Sequence, residues 1–209
     1  MKKAIKSFKS LALIMCCLFY LIGANAQMIN TNPSGTITSG ICGNAQEYQK
    51  VFETLKEKGF RPTKVSAKWA TMIEDYPPPY FEYSATFQKE TNASAWVARH
   101  VLSLEQYKKE LDIWTQKGYM PTDINVATSK AGVINYTLIM EKINNPPLWQ
   151  ERHGLHDFDL AQADKELIAL GYKRTITTQT PKGVFAALWT KPSRTYVKKN
   201  LDLHELKKN

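Results

Sequence analysis

Apolar residues recur along this chain with the spacing of amphipathic helices, and each helical stretch stops at a glycine. In two stretches they stand at positions i, i+4 and i+7, which places them on one helical face. These two stripes are Tyr48, Phe52 and Leu55, then Tyr107, Leu111 and Trp114. The stops are Gly59, Gly118 and Gly171, each followed by an aromatic residue. Because glycine takes the left-handed conformation that ends a helix at little steric cost, the pattern predicts three helices with fixed ends.

The third stretch departs from this spacing. It keeps Leu160 and Leu167 but places Asp164 between them. We therefore expect its apolar stripe to run through Ala163 and Leu170 instead.

After each glycine the period changes from helical to alternating, which is typical of a half-buried β-strand. The outgoing strands carry Val65, Ala67 and Trp69 in the first copy and Ile124, Val126 and Thr128 in the second. The return strands carry Tyr83, Ala85 and Phe87, then Tyr136, Leu138 and Met140, then Phe185, Ala187 and Trp189. Short glycine-containing turns at 129–132 and 180–183 join the strands of the later copies. Each copy is therefore predicted to end in a β-hairpin.

The repeating unit is a helix, a glycine stop and a hairpin, so the sequence predicts an α+β fold of tandem helix–hairpin repeats. The repeat domain is assigned to 47–192, with units at about 48–106, 107–159 and 160–192. We expect the first two units to be complete and the third to be shortened. Residues 27–46 are assigned as an N-terminal linker and 193–209 as a basic tail. Repeat arrays are stabilised by unit stacking and typically present binding surfaces.

A linker between the units is itself repeated. Trp96, Arg99 and His100 correspond to Trp149, Arg152 and His153, and each histidine stands seven residues before the first apolar residue of the next helix. An unperturbed histidine titrates near neutral pH, so it could serve as a general base or a metal ligand, and arginine could clamp a carboxylate. Repetition favours a structural interpretation, in which each ring bonds a backbone carbonyl at a joint between units.

The Trp-x-x-Arg-His linker, followed by a helix that ends in Gly-Tyr/Phe-x-Pro, resembles the bacterial tandem repeat domain. This repeat also occurs in the amino-terminal part of fungal polyglycine hydrolases, and the resemblance covers roughly residues 40–192. The third copy departs from it, with Arg174 where Pro62 and Pro121 stand. In the hydrolases catalysis belongs to a separate β-lactamase-like domain, so the resemblance implies a part without catalytic residues. Consistently, the sequence contains no Ser-x-x-Lys.

Other catalytic signatures are also missing from the sequence. It has no Gly-x-Ser-x-Gly elbow, zinc-binding His-Glu-x-x-His, phosphate-binding glycine loop or paired-cysteine metal motif. We therefore expect no cofactor and no metal.

The parts that are not repeated are the better candidates for ligand binding. Trp69 has no aromatic counterpart in the second copy, and the first hairpin carries a longer insertion with Pro77, Pro78 and Pro79 followed by Tyr80. Aromatic rings of this kind stack on sugars or extended peptides. A structural spacer is the alternative interpretation of the proline loop.

The first 26 residues have the composition of a secretory signal peptide. Four lysines precede an apolar run at 11–22, and the small residues 24–26 form a cleavage site. An apolar run of this length falls short of the roughly 20 residues needed to span a bilayer. We therefore expect export to the periplasm or the medium, with no membrane span.

The leader also changes the interpretation of charge. The chain carries a formal net charge of +9, of which four lysines lie in the leader, and most of the remaining excess lies in the basic tail. No aromatic-basic nucleic-acid motif accompanies it, so nucleic acid is not an expected partner. Cys42 is the sole cysteine after cleavage, which excludes an intramolecular disulfide.

The sequence thus favours an exported, non-catalytic repeat domain that binds a protein, peptide or glycan outside the cytoplasm. Two alternatives stay open. The chain could be a hydrolase or hydrolase accessory that uses the Arg–His linkers, or a structural protein that self-associates through an unpaired unit edge.

Overall fold

A computed structural model describes residues 29–31, 36–70, 80–90 and 94–193. The helices are α1 (Ala45–Glu57), α2 (Leu104–Gln116) and α3 (Asp157–Ala169). The strands are β1 (Ile29–Thr31), β2 (Thr36–Gly43), β3 (Phe60–Ala70), β4 (Tyr80–Lys89), β5 (Trp96–Leu102), β6 (Met120–Thr128), β7 (Ile134–Glu141), β8 (Leu148–Leu155), β9 (Lys173–Gln179) and β10 (Phe185–Lys191). The signal peptide at 1–26, the prolines at 77–79 and the tail beyond 193 lie outside the described residues.

The described strands form three antiparallel sheets built on one plan. Their orders are β1-β2-β4-β3, β5-β7-β6 and β8-β10-β9. In each sheet a first strand precedes the helix, the hairpin follows it, and the return strand of the hairpin lies in the middle. The fold is therefore α+β with repeats, as the sequence predicts.

The segments expected to be linkers are strands. β5 and β8 hydrogen-bond to the return strands β7 and β10 of the hairpins that follow them. In the same way β2, which lies within the expected N-terminal linker at 27–46, pairs with the return strand β4. The physical reason is that a return strand has two hydrogen-bonding edges, and its own hairpin partner satisfies only one. In chain order, a strand of the same sheet therefore stands ahead of each helix. The third sheet has three strands like the second, so the expected shortening of the third copy is not seen.

The first two helices begin at capping residues, and all three helices end before a glycine. The Asn44 side chain accepts hydrogen bonds from the backbone N–H groups of Gln46 and Glu47, and the Ser103 hydroxyl accepts one from that of Gln106 at the start of α2. The three glycines that follow the helices have φ between 73° and 83°. Only glycine adopts such angles without strain, which confirms the predicted stops.

The third helix buries a different stripe from the one expected. Ala163 and Leu167 are buried as anticipated for a core face, but Leu170 is 63 % exposed. Leu170 lies beyond the last helical residue, at the C-cap, so its side chain does not continue the apolar face.

One polar cluster explains both departures of the third copy. Asp164 accepts a hydrogen bond from the indole of Trp189 at 2.8 Å and pairs with the Arg174 guanidinium at 3.0 Å. The aspartate within the apolar stripe and the arginine at the proline position are therefore partners of each other. Trp189 is fully buried, so its N–H needs such an acceptor.

The outgoing strands share a feature that the sequence pattern did not suggest. Thr63, Thr122 and Thr175 each lie at a register shift, and each hydroxyl donates to a carbonyl of the return strand at 3.3 to 3.5 Å. All three stand four residues after the helix-ending glycine. The threonine thus fills the gap left in the ladder by the bulge.

The units stack because each sheet has two different faces. One face packs against the helix of its own unit, and the outer face covers the open side of the preceding unit. Ile139, from the outer face of the second sheet, lies in the core cluster of the first unit. Ala186 and Leu188, from the third sheet, lie in the core cluster of the second unit.

Side chains from the next unit also satisfy the exposed edges of the first two outgoing strands, β3 and β6. Asp123 accepts from the backbone N–H of Val65 at 2.8 Å, and Asn125 accepts from that of Ala67 at 2.9 Å. At the second joint, the hydroxyl of Thr178 accepts from the Val126 N–H at 3.3 Å. The edges of β3 and β6 are thereby closed to pairing with another chain.

Asp123 should make stability depend on pH. Burial raises the pKa of this carboxyl to about 6, so the native state holds its proton more tightly than the unfolded chain does. The stability from this group is full below pH about 4 and is lost as pH rises through about 6. Asp123→Asn keeps an acceptor for Val65 and removes the buried charge. We expect it to raise the free energy of unfolding at pH 7 by up to about 3 kcal/mol.

The measurement is urea unfolding of both proteins between pH 4 and pH 7.5. The gain should be absent near pH 4 and should grow as the pH increases. Asp112→Asn on the surface of α2 serves as the control for charge removal. An equal gain at both ends of the pH range would contradict a buried ionised Asp123.

Candidate functional site

The first joint is built around the ring of His100 from β5. Its edge contacts the faces of Tyr48 and Tyr83, with ring centroids 4.8 Å and 5.6 Å away and interplanar angles near 80°. The two tyrosine rings are themselves stacked at 5.5 Å. The histidine of one unit is therefore packed into the aromatic core of the unit before it.

The second joint repeats this arrangement. The ring of His153 meets Tyr107 at 5.1 Å and Tyr136 at 6.2 Å, again edge-on, and the two tyrosines stack at 4.6 Å. Each tyrosine pair joins a helix to a return strand within one unit. The two histidines stand at equivalent positions of the sequence repeat, and in the structure they make equivalent ring contacts.

The joints differ in the polar partner of the histidine. Burial lowers the pKa of His100, and a hydrogen bond to the backbone of Ala45 partly offsets this effect. At the second joint the Nδ1 atom of His153 lies 3.0 Å from the carboxylate of Glu151, and the Tyr107 hydroxyl donates to that carboxylate at 2.9 Å. The position equivalent to Glu151 in the first joint is Ala98.

Sequence reasoning missed Glu151, although its side chain is only 2 % exposed. Burial and this neighbouring carboxylate raise the pKa of Tyr107 well above its usual value, and the same two causes raise that of Tyr136 to about 12. The sequence does contain a signal for this residue. When the two Trp-x-x-Arg-His segments are aligned, Glu151 is the one charged residue that has no charged counterpart.

The arginines do not act together with the histidines. Consecutive residues of a strand point to opposite faces, so Arg99 turns toward its own helix while His100 turns toward the preceding unit. The Arg99 guanidinium pairs with Glu110 at 2.9 Å and lies over the ring of Trp114. Arg152 likewise pairs with Glu166 of α3 at 3.1 Å. The structure therefore does not assemble a shared Arg–His site.

The candidate residues of the first hairpin lie at its far end. Trp69, near the end of β3, packs edge-on against Phe81 with centroids 5.0 Å apart. Tyr80 opens β4 and lies opposite Ala70. Pro77, Pro78 and Pro79 lie between these strands, outside the described residues. Trp69 thus has an aromatic partner within its own hairpin.

A groove that the sequence did not indicate lies between α1 and the first strand of the second unit. It has a volume of about 720 Å³. Phe52 and Lys56 of α1 form one wall, and the segment from Trp96 to His100 on β5 forms the other. The rings of Phe52 and Trp96 meet edge-on at 6.1 Å, and the Trp96 indole donates to Glu90 at 3.2 Å. A volume in this range is typical of sites that hold small ligands or peptide segments.

The described residues hold no group of three or more histidine, cysteine or acidic side chains placed to bind a metal. No helix within the same residues is sufficiently long and apolar to cross a bilayer.

Stacked units of strand, helix and hairpin, joined by repeated aromatic contacts, define a tandem-repeat domain. The family model of the polyglycine hydrolase-like structural repeat matches residues 44–68, 93–143 and 146–192. These segments make up more than half of the chain, so the protein belongs to this family. The second and third matches begin ahead of β5 and β8, in agreement with units that start at those strands. No curated protein matches the chain.

The stacked tyrosines of the second joint provide a matched pair of substitutions. Tyr107→Phe removes the donor to a buried carboxylate, and we expect it to lower the free energy of unfolding by about 1–3 kcal/mol. Tyr136→Phe removes a buried hydroxyl that has no hydrogen-bond partner among the described residues, so stability should stay the same or increase. Urea unfolding at pH 7 compares the two variants. Equal losses would mean that the hydrogen bond from Tyr107 to Glu151 adds nothing to stability beyond the effect of removing a buried hydroxyl.

Proposed function

We propose that this protein is an exported, non-catalytic repeat domain that binds a protein, peptide or glycan outside the cytoplasm. The observation that carries the proposal is the groove between α1 and β5, with the aromatic side chains of Phe52 and Trp96 and the cation of Lys56 along its walls. The signal-peptide pattern of residues 1–26 supports the exported location.

The surroundings of the histidines support a non-catalytic role. A general base must reach the proton that it removes, and a clamp needs a free guanidinium. His100 and His153 pack edge-on against tyrosine rings, while Arg99 and Arg152 are engaged by glutamates of their own helices. These contacts favour structural roles at the joints over the hydrolase alternative.

The polarity of the end surfaces weighs against self-association by further stacking. On the outer face of the first sheet, Thr86 stands at the position of Ile139 and Leu188, the apolar residues that the other two sheets insert into the preceding core. On β9 the positions equivalent to Ile124 and Val126 are the exposed polar residues Thr177 and Gln179. Terminal units of repeat arrays typically have such polar faces. We also propose that the repeating unit is strand–helix–hairpin, present in three complete copies.

The test is a thermal-shift screen of the purified protein against extended peptides, peptidoglycan fragments and soluble glycans, with product analysis of the same mixtures. A ligand present at 100 times its Kd should stabilise the fold by about 2.7 kcal/mol without being converted. Phe52→Ala should abolish the shift, whereas Trp69→Ala should leave it unchanged. Turnover that disappears on changing His100 or His153 would refute the proposal.

A further inference from the structure

Within the residues that the structure describes, the groove combines a strand edge that has no neighbouring strand with a lysine that makes no ion pair. β5 is an edge strand with β7 as its partner on one side. The Lys142 N–H donates to the Ala95 carbonyl at 2.8 Å, which fixes the alternation of this antiparallel pair. Trp96 and Ala98 therefore direct their backbone N–H and C=O groups away from β7, toward the groove.

These outward groups are only partly satisfied. The carbonyl of Ala98 accepts from the guanidinium of Arg99 at 3.0 Å. No hydrogen bond joins the other outward groups of Trp96 and Ala98 to α1 within the described part of the chain. Beyond them the edge is closed, because His100 packs on Tyr48 and Tyr83. The free edge is thus a short template for an extended backbone.

The charged residues of the groove indicate which kind of side chain a peptide bound along this edge should carry. Among the described residues, Lys56 makes no ion pair, whereas the Arg99 guanidinium is paired with Glu110. Glu90 accepts the indole N–H of Trp96 and so holds that ring in place. The groove therefore has an ammonium group on the wall formed by α1 and a carboxylate beside Trp96, so the α1 wall is the side that attracts an acidic side chain.

We infer that an extended peptide with an acidic side chain adds as a strand to the free edge of β5 and directs its carboxylate to Lys56. Main-chain hydrogen bonds to Trp96 and Ala98 supply sequence-independent affinity, and the aromatic wall receives an apolar side chain on the same face. This inference rests on the proposed function, because it names the ligand class of the same groove.

The second joint is an internal comparison for this specificity. β8 is also an edge strand, but Thr115 stands where α1 has Lys56, and the buried carboxylate of Glu151 stands where β5 has Ala98. At these two positions the second joint therefore offers no cation to an acidic peptide. Lys56→Thr transfers the second-joint residue into the first joint without touching the core.

The experiment measures fluorescence anisotropy of a labelled hexapeptide of alternating valine and threonine with one central glutamate, and of its glutamine twin. Lys56→Thr should weaken binding of the glutamate peptide up to about fivefold and leave the glutamine peptide unchanged. Lys109→Thr, which removes an exposed lysine of α2, should leave both unchanged. Equal weakening of the two peptides by Lys56→Thr would overturn carboxylate recognition.

Backbone pairing is tested by methylating one peptide nitrogen at a time. Only alternate positions should lose affinity, by about tenfold each, because every second N–H faces the edge of β5. Uniform sensitivity, or none, would overturn strand addition. Binding of a glycan but of neither peptide would overturn this inference while the proposed function stands, and the absence of any ligand in the wider screen would overturn both.

Discussion

Each of the first two units leaves one side of its helix–sheet sandwich open, and the outer face of the next sheet closes that side. A helix and three short strands cannot bury their apolar faces alone, so the joints supply contacts that each unit lacks. The closure has an apolar part, in which Ile139 and Leu188 enter the neighbouring core, and a polar part, in which Asp123 and Asn125 cover the edge of β3. The histidine rings complete the same closure at the strand that begins each new unit.

The two joints have the same arrangement of histidine and tyrosine rings but different polar groups around them, so the two joints are not interchangeable. Asp123 and His100, both at the first joint, respond to pH in opposite directions. Ionisation of Asp123 removes stability as pH rises through about 6, whereas protonation of His100 removes stability as pH falls below the usual histidine range. The first joint thus compensates partly for mild acidification. At the second joint Tyr107 and His153 are hydrogen-bonded to the buried carboxylate of Glu151.

Local signals made the helices, their glycine stops and the hairpins predictable from sequence, because each depends on a few neighbouring residues. The pairing of β5 with β7 and of β8 with β10 was not predictable in that way. The Trp-x-x-Arg-His segment has no clear alternation, and its partner strand lies some 40 residues away. The groove was missed for a related reason. Phe52 and Trp96 each read as core residues of their own segments, and only stacking of the units brings a helix beside an unpaired edge. In the sequence Asp164 only interrupts an apolar stripe, because its partners Arg174 and Trp189 are brought beside it by the fold.

The polar ends of the array limit how its gene can change length. A copy appended after the third unit would have to cover Thr177 and Gln179, and a copy placed before the first would receive Thr86 where Ile139 and Leu188 enter the neighbouring core at the other joints. A duplication of the middle unit meets neither penalty, because its interior already packs under one sheet and its outer face already covers another. Lineages of such repeats can therefore lengthen from within while their two ends are inherited unchanged.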